Sequence, residues 1–439
     1  MSVIAAVRAR NPLPDGTFSV GVGLGITGVT SFVYLLVARR ALGAEEFTAL
    51  SNLWFLVFMF GGVFVPFEQE IGRRLAALRV RGLGGRSVIR RVVTLGAGMI
   101  VILVIATAAL APTLLDRLFD DQVLLVLGLL LGASGLLTAN ISQGVLAGNG
   151  RFGRYGAFLG MDSSLRLTVA IAVLALGATT AGPVGLALGI GPIVTAIVLL
   201  WGQRDLSQPG PELGWRELTA GLGALLAASV FSQILINASP ILVSLFAGPD
   251  STDAALFTTA LVIARVPLFL FQAVQAALLP RLSRLAAEGH LEEFRSGISR
   301  LAILVAGLVV GGCVVGYAVG PALISAFSGS DVTVDRATVG LLAAASGGFL
   351  MAMALSLGLI ALHGARLAAV GWFVGVVVLV GASVAYRTDP ITRVTVAFTA
   401  STFASTAAMA LLLRHQLRRG ATLESDSVLE ALNDITLDI

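Results

Sequence analysis

Lysine is absent from this chain. All 29 basic residues are arginine, set against 25 acidic ones, and charged residues make up 12% of the 439 positions. Soluble domains carry about one quarter charge, so a large soluble domain is excluded. There is one cysteine, Cys313, inside an apolar run, which excludes a disulfide framework. The three histidines, His290, His363 and His415, lie in or beside loops expected to be cytoplasmic, and the outer loops hold no carboxylate cluster, so neither a metal site nor a nucleophile–base pair is expected and the chain does not read as an enzyme. The 51 glycines are scattered through apolar segments, where small residues let helices approach, rather than gathered in a phosphate-cradling loop. ATP is therefore not indicated; transport would draw on a gradient, with H+ or Na+ as coupling ion, or on the membrane potential.

Apolar residues are what remains. They make up 56% of the sequence, with a mean hydropathy of +0.93. Segments of about 20 residues, the length that crosses the hydrocarbon, recur along the chain. Runs bounded by charge or Pro/Gly predict an all-α integral membrane protein of about twelve spans, at 17–38, 47–67, 92–115, 122–147, 155–178, 182–202, 218–247, 254–279, 301–326, 337–362, 367–386 and 391–413. The first run follows Arg8 and Arg10 and has no small-residue cleavage site, so it reads as a retained anchor.

A pI near 9.9 raises the question of nucleic acid. The arginines answer it, because they sit in short loops after even-numbered spans: Arg73, Arg74, Arg79, Arg81, Arg86, Arg90, Arg91, Arg151 and Arg154 among others. This is the positive-inside pattern, placing those loops and both termini in the cytoplasm. The opposite loops are richer in aspartate, although Arg39 and Arg40 fall there against the rule. Arginine codons are GC-rich, so the missing lysine fits a GC-rich bacterial genome and the bilayer is expected to be a bacterial plasma membrane.

A repeat divides the chain. Arg74-Leu-Ala-Ala closes the second span and Arg284-Leu-Ala-Ala the eighth. An even number of spans per repeat relates the halves by an axis normal to the membrane. The expected division is a six-helix bundle over 1–203, a cytoplasmic linker over 204–217 with the Pro/Gly-rich GQRDLSQPGPELGW, a second bundle over 218–414 and an acidic tail over 415–439. That tail is either a solvated end or a short helix, with Val428, Leu432 and Ile435 on one face, that docks a partner.

Polar residues inside spans are where function is expected, since an ionisable group at mid-membrane costs about 2.5–3.5 kcal/mol or more. Arg265, in the eighth span, has only apolar residues one turn away on its own helix; Gln272 follows on the same face, and Pro267 locally frees a carbonyl. It is either half of an interhelical ion pair or a cavity cation for an anionic substrate. In PFEQEIGRRLA, residues 66–76, Glu70 can pair with Arg74 and Gln69 with Arg73 at the surface, whereas Glu68 has no such cover and either turns inward or snorkels. Asp162 and Arg166 stand one turn apart in the fifth span, as a self-compensating pair or as cavity wall. Polar stripes at helical spacing complete the set: Ser229, Gln233, Asn237 and Ser244 in the seventh span, Thr27, Ser31 and Tyr34 in the first, Asn140 and Gln143 in the fourth. They line a cavity or bond helix to helix.

The stretch LLVARRALGAEEFTALSNLWFLVFMFGGVFVPFEQEIGRRLA, residues 35–76, with its turn from Arg39 to Glu46, resembles the opening of bacterial polysaccharide flippases of the multidrug/oligosaccharidyl-lipid/polysaccharide exporter superfamily. IARVPLFLFQAVQAALLPRLSRLAA, residues 263–287, is similar to the matching region of the second half. The resemblance implies a V-shaped pair of bundles around a central cavity, alternating between inward-open and outward-open. It also implies a polyprenyl-pyrophosphate-linked glycan as substrate, carried from the inner to the outer leaflet, with envelope-assembly proteins as partners. On this likeness Arg265 meets the pyrophosphate, with Arg166 as a further cavity cation and Arg39 and Arg40 receiving the headgroup on the outer side. The departure from the family lies in the scarcity of cavity charge. A cation-coupled multidrug antiporter of the same fold is the first rival reading, and a transport-inactive scaffold for envelope enzymes the second.

Overall fold

The computed structural model describes residues 17–248, 253–265, 288–328, 334–362 and 364–437, with 268, 282, 285 and 286. All regular structure among them is helical. The first helix, α1 (Thr17–Val63), is two arms broken at Gly43, whose φ of 77° and ψ of −172° leave the helical region. Tyr34 and Trp54, on opposite sides of that break, have ring centroids 5.1 Å apart. In a straight helix they would be separated by about 30 Å. The chain therefore reverses at one residue, where glycine tolerates a positive φ that a side chain resists. The first two predicted spans are the arms of this hairpin.

The second arm does not run on as one helix. It breaks at Phe64, and α2 (Val65–Val80) starts afresh with Pro66 in its first turn, where a missing N–H costs nothing. Next come α3 (Arg86–Leu118), α4 (Val123–Gly148), α5 (Phe152–Ala175), the short α6 (Ala181–Gly185) and α7 (Ala187–Leu200). A 3-10 turn at Arg204–Ser207 leads to α8 (Trp215–Ala247), α9 (Asp253–Ala264), α10 (Leu291–Ser328), α11 (Arg336–Ala361), α12 (Ala365–Ala385) and α13 (Pro390–Leu437).

Among the described residues ten helices are long and apolar enough to cross a membrane, the run Phe18–Val80 holding both spans of the hairpin; Asp253–Ala264 is a shorter apolar helix. It begins the expected eighth span, and most of 266–281 lies outside the described residues. The architecture is thus the expected all-α pair of six-span bundles, α1–α7 packing among themselves and α8–α13 likewise. Small residues allow this closeness. A Cβ on Gly144 of α4 would lie 2.7 Å from the Glu68 carbonyl oxygen on α2.

The sixth span is present over Ala181–Leu200, close to the expected 182–202, with a turn at Leu186 between α6 and α7, and Glu46 accepts from the Ala181 amide (2.6 Å) and the Gln122 side chain (2.9 Å) at its start. One local expectation is corrected. The last span and the acidic tail are not separate helices: α13 continues through Arg419 to Leu437. At 1.5 Å per residue its 48 residues extend about 72 Å, more than twice the hydrocarbon thickness.

Candidate functional site

The bundles meet along a seam in which the second arm of α1, continued by α2, runs antiparallel to α8. Named from its ends, the seam has a Gly43 end and a linker end. Near the Gly43 end, Ser244 donates to the Asn52 side-chain oxygen (2.9 Å), while the Asn52 amide donates to the Leu118 carbonyl (3.1 Å). Further along, Ser229 donates to the Gly62 carbonyl (2.6 Å). The Gln233 side chain lies flat on Gly62, where an added Cβ would come within 2.0 Å of its Cδ. Asn237 in turn donates to Gln233 (2.8 Å). The polar stripe on α8 therefore faces the other bundle and is largely occupied by hydrogen bonds.

At the linker end, Glu70 is buried at 4% exposure and accepts from Arg73 (2.8 Å) and Arg74. Arg74 also reaches Glu217 on α8 and donates to its backbone carbonyl (3.2 Å). The expected Glu70–Arg74 pair is present, but it is enclosed rather than at the surface, and Arg73 pairs with Glu70 instead of Gln69. Glu70 is the enclosed carboxylate and holds both arginines, and the group crosses to the second bundle. Arg90 and Arg91 face Glu212 (3.1 and 3.7 Å), and Arg91 stacks on Trp215 at 4.9 Å.

Arg265 stands at the middle of the seam. Helix α9 has 12 residues, so the guanidinium-bearing residue that follows lies about 18 Å along the helix from Asp253. It is 7% exposed. Its Cζ sits 5.2 Å from the Phe55 ring centroid on α1, a cation–π contact across the seam. One terminal N–H donates to the Ile236 carbonyl on α8, and its Nε, also buried, has no partner. No carboxylate is paired with it among the described residues. Sequence reasoning missed the carbonyl, but a signal was available. Pro240 lacks the N–H that would bond Ile236 and its ring crowds that oxygen, so the freed carbonyl belongs to α8 rather than to the helix of Arg265. Pro267 and Gln272 lie outside the described residues.

The other predicted residues serve within bundles or at the seam's end. Asp162 and Arg166 form their pair at 2.8 Å, with Arg166 against Trp54 and Phe58 (5.8 and 5.4 Å). Asp162 Oδ1 and Arg166 Nε are buried without partners. Tyr34 donates to the Val184 carbonyl (3.2 Å) and Thr27 to that of Leu159 (2.9 Å), so the first-span stripe joins helices of one bundle. Asn140 bonds its own helix at Leu136 (2.8 Å). Glu68 is half-buried and accepts from Tyr155 on α5 (2.7 Å). Arg39 is buried over Phe47 at 5.7 Å, and Arg40 donates to the Ala326 carbonyl at the end of α10 (2.8 Å), tying the bundles together at the Gly43 end.

An apolar cleft of about 310 Å³ lies away from this seam, between α9, α10 and α11, with Ala264, Leu268, Gly312 and Val339 in its wall. It suits hydrocarbon rather than charge. Among the described residues no three His, Cys, Asp or Glu side chains group as metal ligands.

No protein-family model matches the chain. Two uncharacterized proteins of Mycobacterium tuberculosis are each 25% identical to it, one over 341 residues (74% of this chain, 75% of that protein) and one over 356 (78% and 79%). In three dimensions it is similar to an inward-facing multidrug resistance transporter of the MATE family in the MOP superfamily, with a TM-score of 0.71 and 16% identity, covering 91% of this chain and 98% of the other. The chain has the MATE fold. An outward-facing MATE transporter superposes as well, with a TM-score of 0.70 and 16% identity over 93% of this chain and 96% of the other. The MATE fold thus occurs in the two states that alternating access requires. In the present conformation Arg74–Glu217 at one end of the seam and Arg40–Ala326 at the other both hold the bundles together.

Proposed function

We propose that this protein is a flippase that carries a polyprenyl-(pyro)phosphate-linked oligosaccharide from the inner to the outer leaflet of a bacterial plasma membrane by alternating access. The observation that carries this reading is Arg265: a buried guanidinium at the junction of the two bundles, in an expected membrane span, with a neutral carbonyl and an aromatic ring as partners and no carboxylate among the described residues. A cation in that position is costly unless an anion visits it. Phosphate matches its planar donor fork better than a carbonyl does. Asn237, the residue after Ile236, and its hydrogen-bond partner Gln233 are neutral polar groups on the same helix as that carbonyl, and the apolar cleft behind α9 suits a long hydrocarbon chain. Arg39 and Arg40 are the headgroup contacts on the outer side, the coupling ion is H+ or Na+, and the partners are envelope-assembly proteins.

The MATE structures that share this fold are of multidrug transporters, which favours a second reading, the cation-coupled antiporter. That mechanism wants an available buried carboxylate. In the first bundle Asp162 is held by Arg166, Glu68 by Tyr155 and Glu70 by two arginines.

Depletion of the protein with rescue by Arg265 variants separates the readings. The flippase reading expects lipid-linked glycan to accumulate in the inner leaflet, and Arg265→Ala to leave it there at normal membrane levels of protein. Retention of cationic dyes with no trapped glycan would transfer the assignment to the antiporter.

A further inference from the structure

We infer that the Ile236 carbonyl is a displaceable internal ligand of Arg265, exposed by Pro240, and that an anionic phosphate group binds by exchanging with it. This rests on Arg265 being the anion-binding residue and names what that residue holds before the anion arrives.

The argument begins in α8. In an unbroken helix the oxygen of residue 236 accepts from the N–H of residue 240. Proline at 240 has no N–H, and its ring pushes against the same carbonyl. An uncompensated carbonyl in the membrane interior is expensive, and Arg265 supplies the missing donor from α9. The compensation is partial on the arginine's side, since its Nε is buried without an acceptor. One carbonyl oxygen cannot satisfy a fork that presents Nε and a terminal nitrogen side by side, whereas two phosphate oxygens can. Exchange from carbonyl to phosphate therefore completes the arginine's bonding, at the cost of leaving the Ile236 oxygen without its donor, and removes the tie between α9 and the middle of α8.

That release has a mechanical outlet. Helix α8 is the helix that carries the seam, through Ser229 and Gln233 on Gly62 and through Ser244 on Asn52. Pro240 lies between these two groups of contacts, at a natural bending point. Pro240 is accordingly a positioning residue, acting through the Ile236 oxygen and not through contact with substrate.

The test uses the full-length protein in nanodiscs, with inorganic pyrophosphate and farnesyl diphosphate as binding probes and phenylglyoxal labelling of Arg265, read by mass spectrometry, as a measure of guanidinium freedom. Pro240→Ala restores an N–H for Ile236 and should be accommodated, because alanine favours a helix interior that proline breaks. With the internal ligand withdrawn, pyrophosphate should bind roughly tenfold more tightly, the factor expected when one hydrogen bond to a charged group no longer has to be displaced. Arg265 should label faster, and Pro240→Ser, which also has an N–H, should behave the same way. Unchanged affinity together with unchanged labelling would overturn the exchange and leave the carbonyl as a structural cap. Labelling decides even where no probe binds. If farnesyl diphosphate binds no better than pyrophosphate while the Pro240→Ala effect persists, it is the lipid-flippase reading that falls and the exchange that stands.

Discussion

Phe55 and Arg265 touch across the seam, with the guanidinium 5.2 Å from the ring centroid, and they are separated in sequence by the same number of positions as the repeat-matched arginines Arg74 and Arg284. Two positions related by a two-fold repeat can meet only near the repeat axis. The cation of the second half and the aromatic ring of the first therefore mark the centre of the molecule, where a substrate passing between the bundles would cross.

The ring face should matter in its own right. Phe55→Leu removes a cation–π contact of about 1 kcal/mol, and under the proposed flippase function clearance of lipid-linked glycan should slow roughly fivefold. Phe55→Trp should restore it. Equal rates for all three would remove Phe55 from the site.

Gly62 is required by Gln233. Gly62→Val forces a side chain into the space of the amide, and overpacking of that kind costs about 1–3 kcal/mol. Thermal unfolding in detergent should show the loss, and Gln233→Ala in the same chain should recover most of it.

Asp162→Asn leaves Arg166 buried without its counter-charge. A broken buried pair typically costs about 3–5 kcal/mol, so the variant should be recovered in low amounts with a lowered melting temperature. The double change Asp162→Leu with Arg166→Met should be nearer to wild type in stability. If it also transports normally, the pair is structural and Arg166 is no cavity cation.

The two contacts of Arg74 should separate cleanly. Glu217 is 65% exposed, and Glu217→Ala should change stability by no more than about 1 kcal/mol. It should nonetheless increase access from the linker end to a cysteine placed at Gly62. Glu70→Ala should be the more damaging change, because it leaves Arg74, itself 13% exposed, without its buried partner.

Asp335 caps α11, accepting from the Ala337 and Thr338 amides (3.0 Å each). Those bonds hold its carboxyl below the ordinary aspartate range. A depressed pKa means the cap contributes fully above the unfolded value near 4 and loses its contribution as pH falls through the folded value. Asp335→Ala should cost about 1 kcal/mol at neutral pH, and the difference from wild type should vanish in strong acid. A gap that persists there would rule out the carboxylate as its source.

The spans were legible because hydrocarbon imposes one signal, apolar length, on every helix that crosses it. The Asp162–Arg166 pair was legible because both members lie on one helix, one turn apart. The Glu70–Arg74 pair was legible because its members lie one turn apart on one helix, whereas the burial of Glu70 was not, since it depends on neighbours distant in sequence. Glu68 turns to Tyr155 on α5, the inward of its two readings. The carbonyl that meets Arg265 was invisible because a backbone oxygen has no letter in the sequence, and Pro240 marks it only once α8 and α9 are known to be neighbours. The ties Asn52–Ser244 and Arg74–Glu217 join residues of different bundles, beyond the reach of any local pattern.

Gly43 makes the reversal between the first two spans with a single residue. Such a connection has no slack. A loop of several residues absorbs a relative slide of its two helices; a one-residue corner limits it, so the arms of α1 are expected to rise and sink together while Gly43 leaves them free to hinge. The arm that carries Phe55 and Gly62 is thereby linked along its axis to the arm that carries Tyr34 and packs on α5.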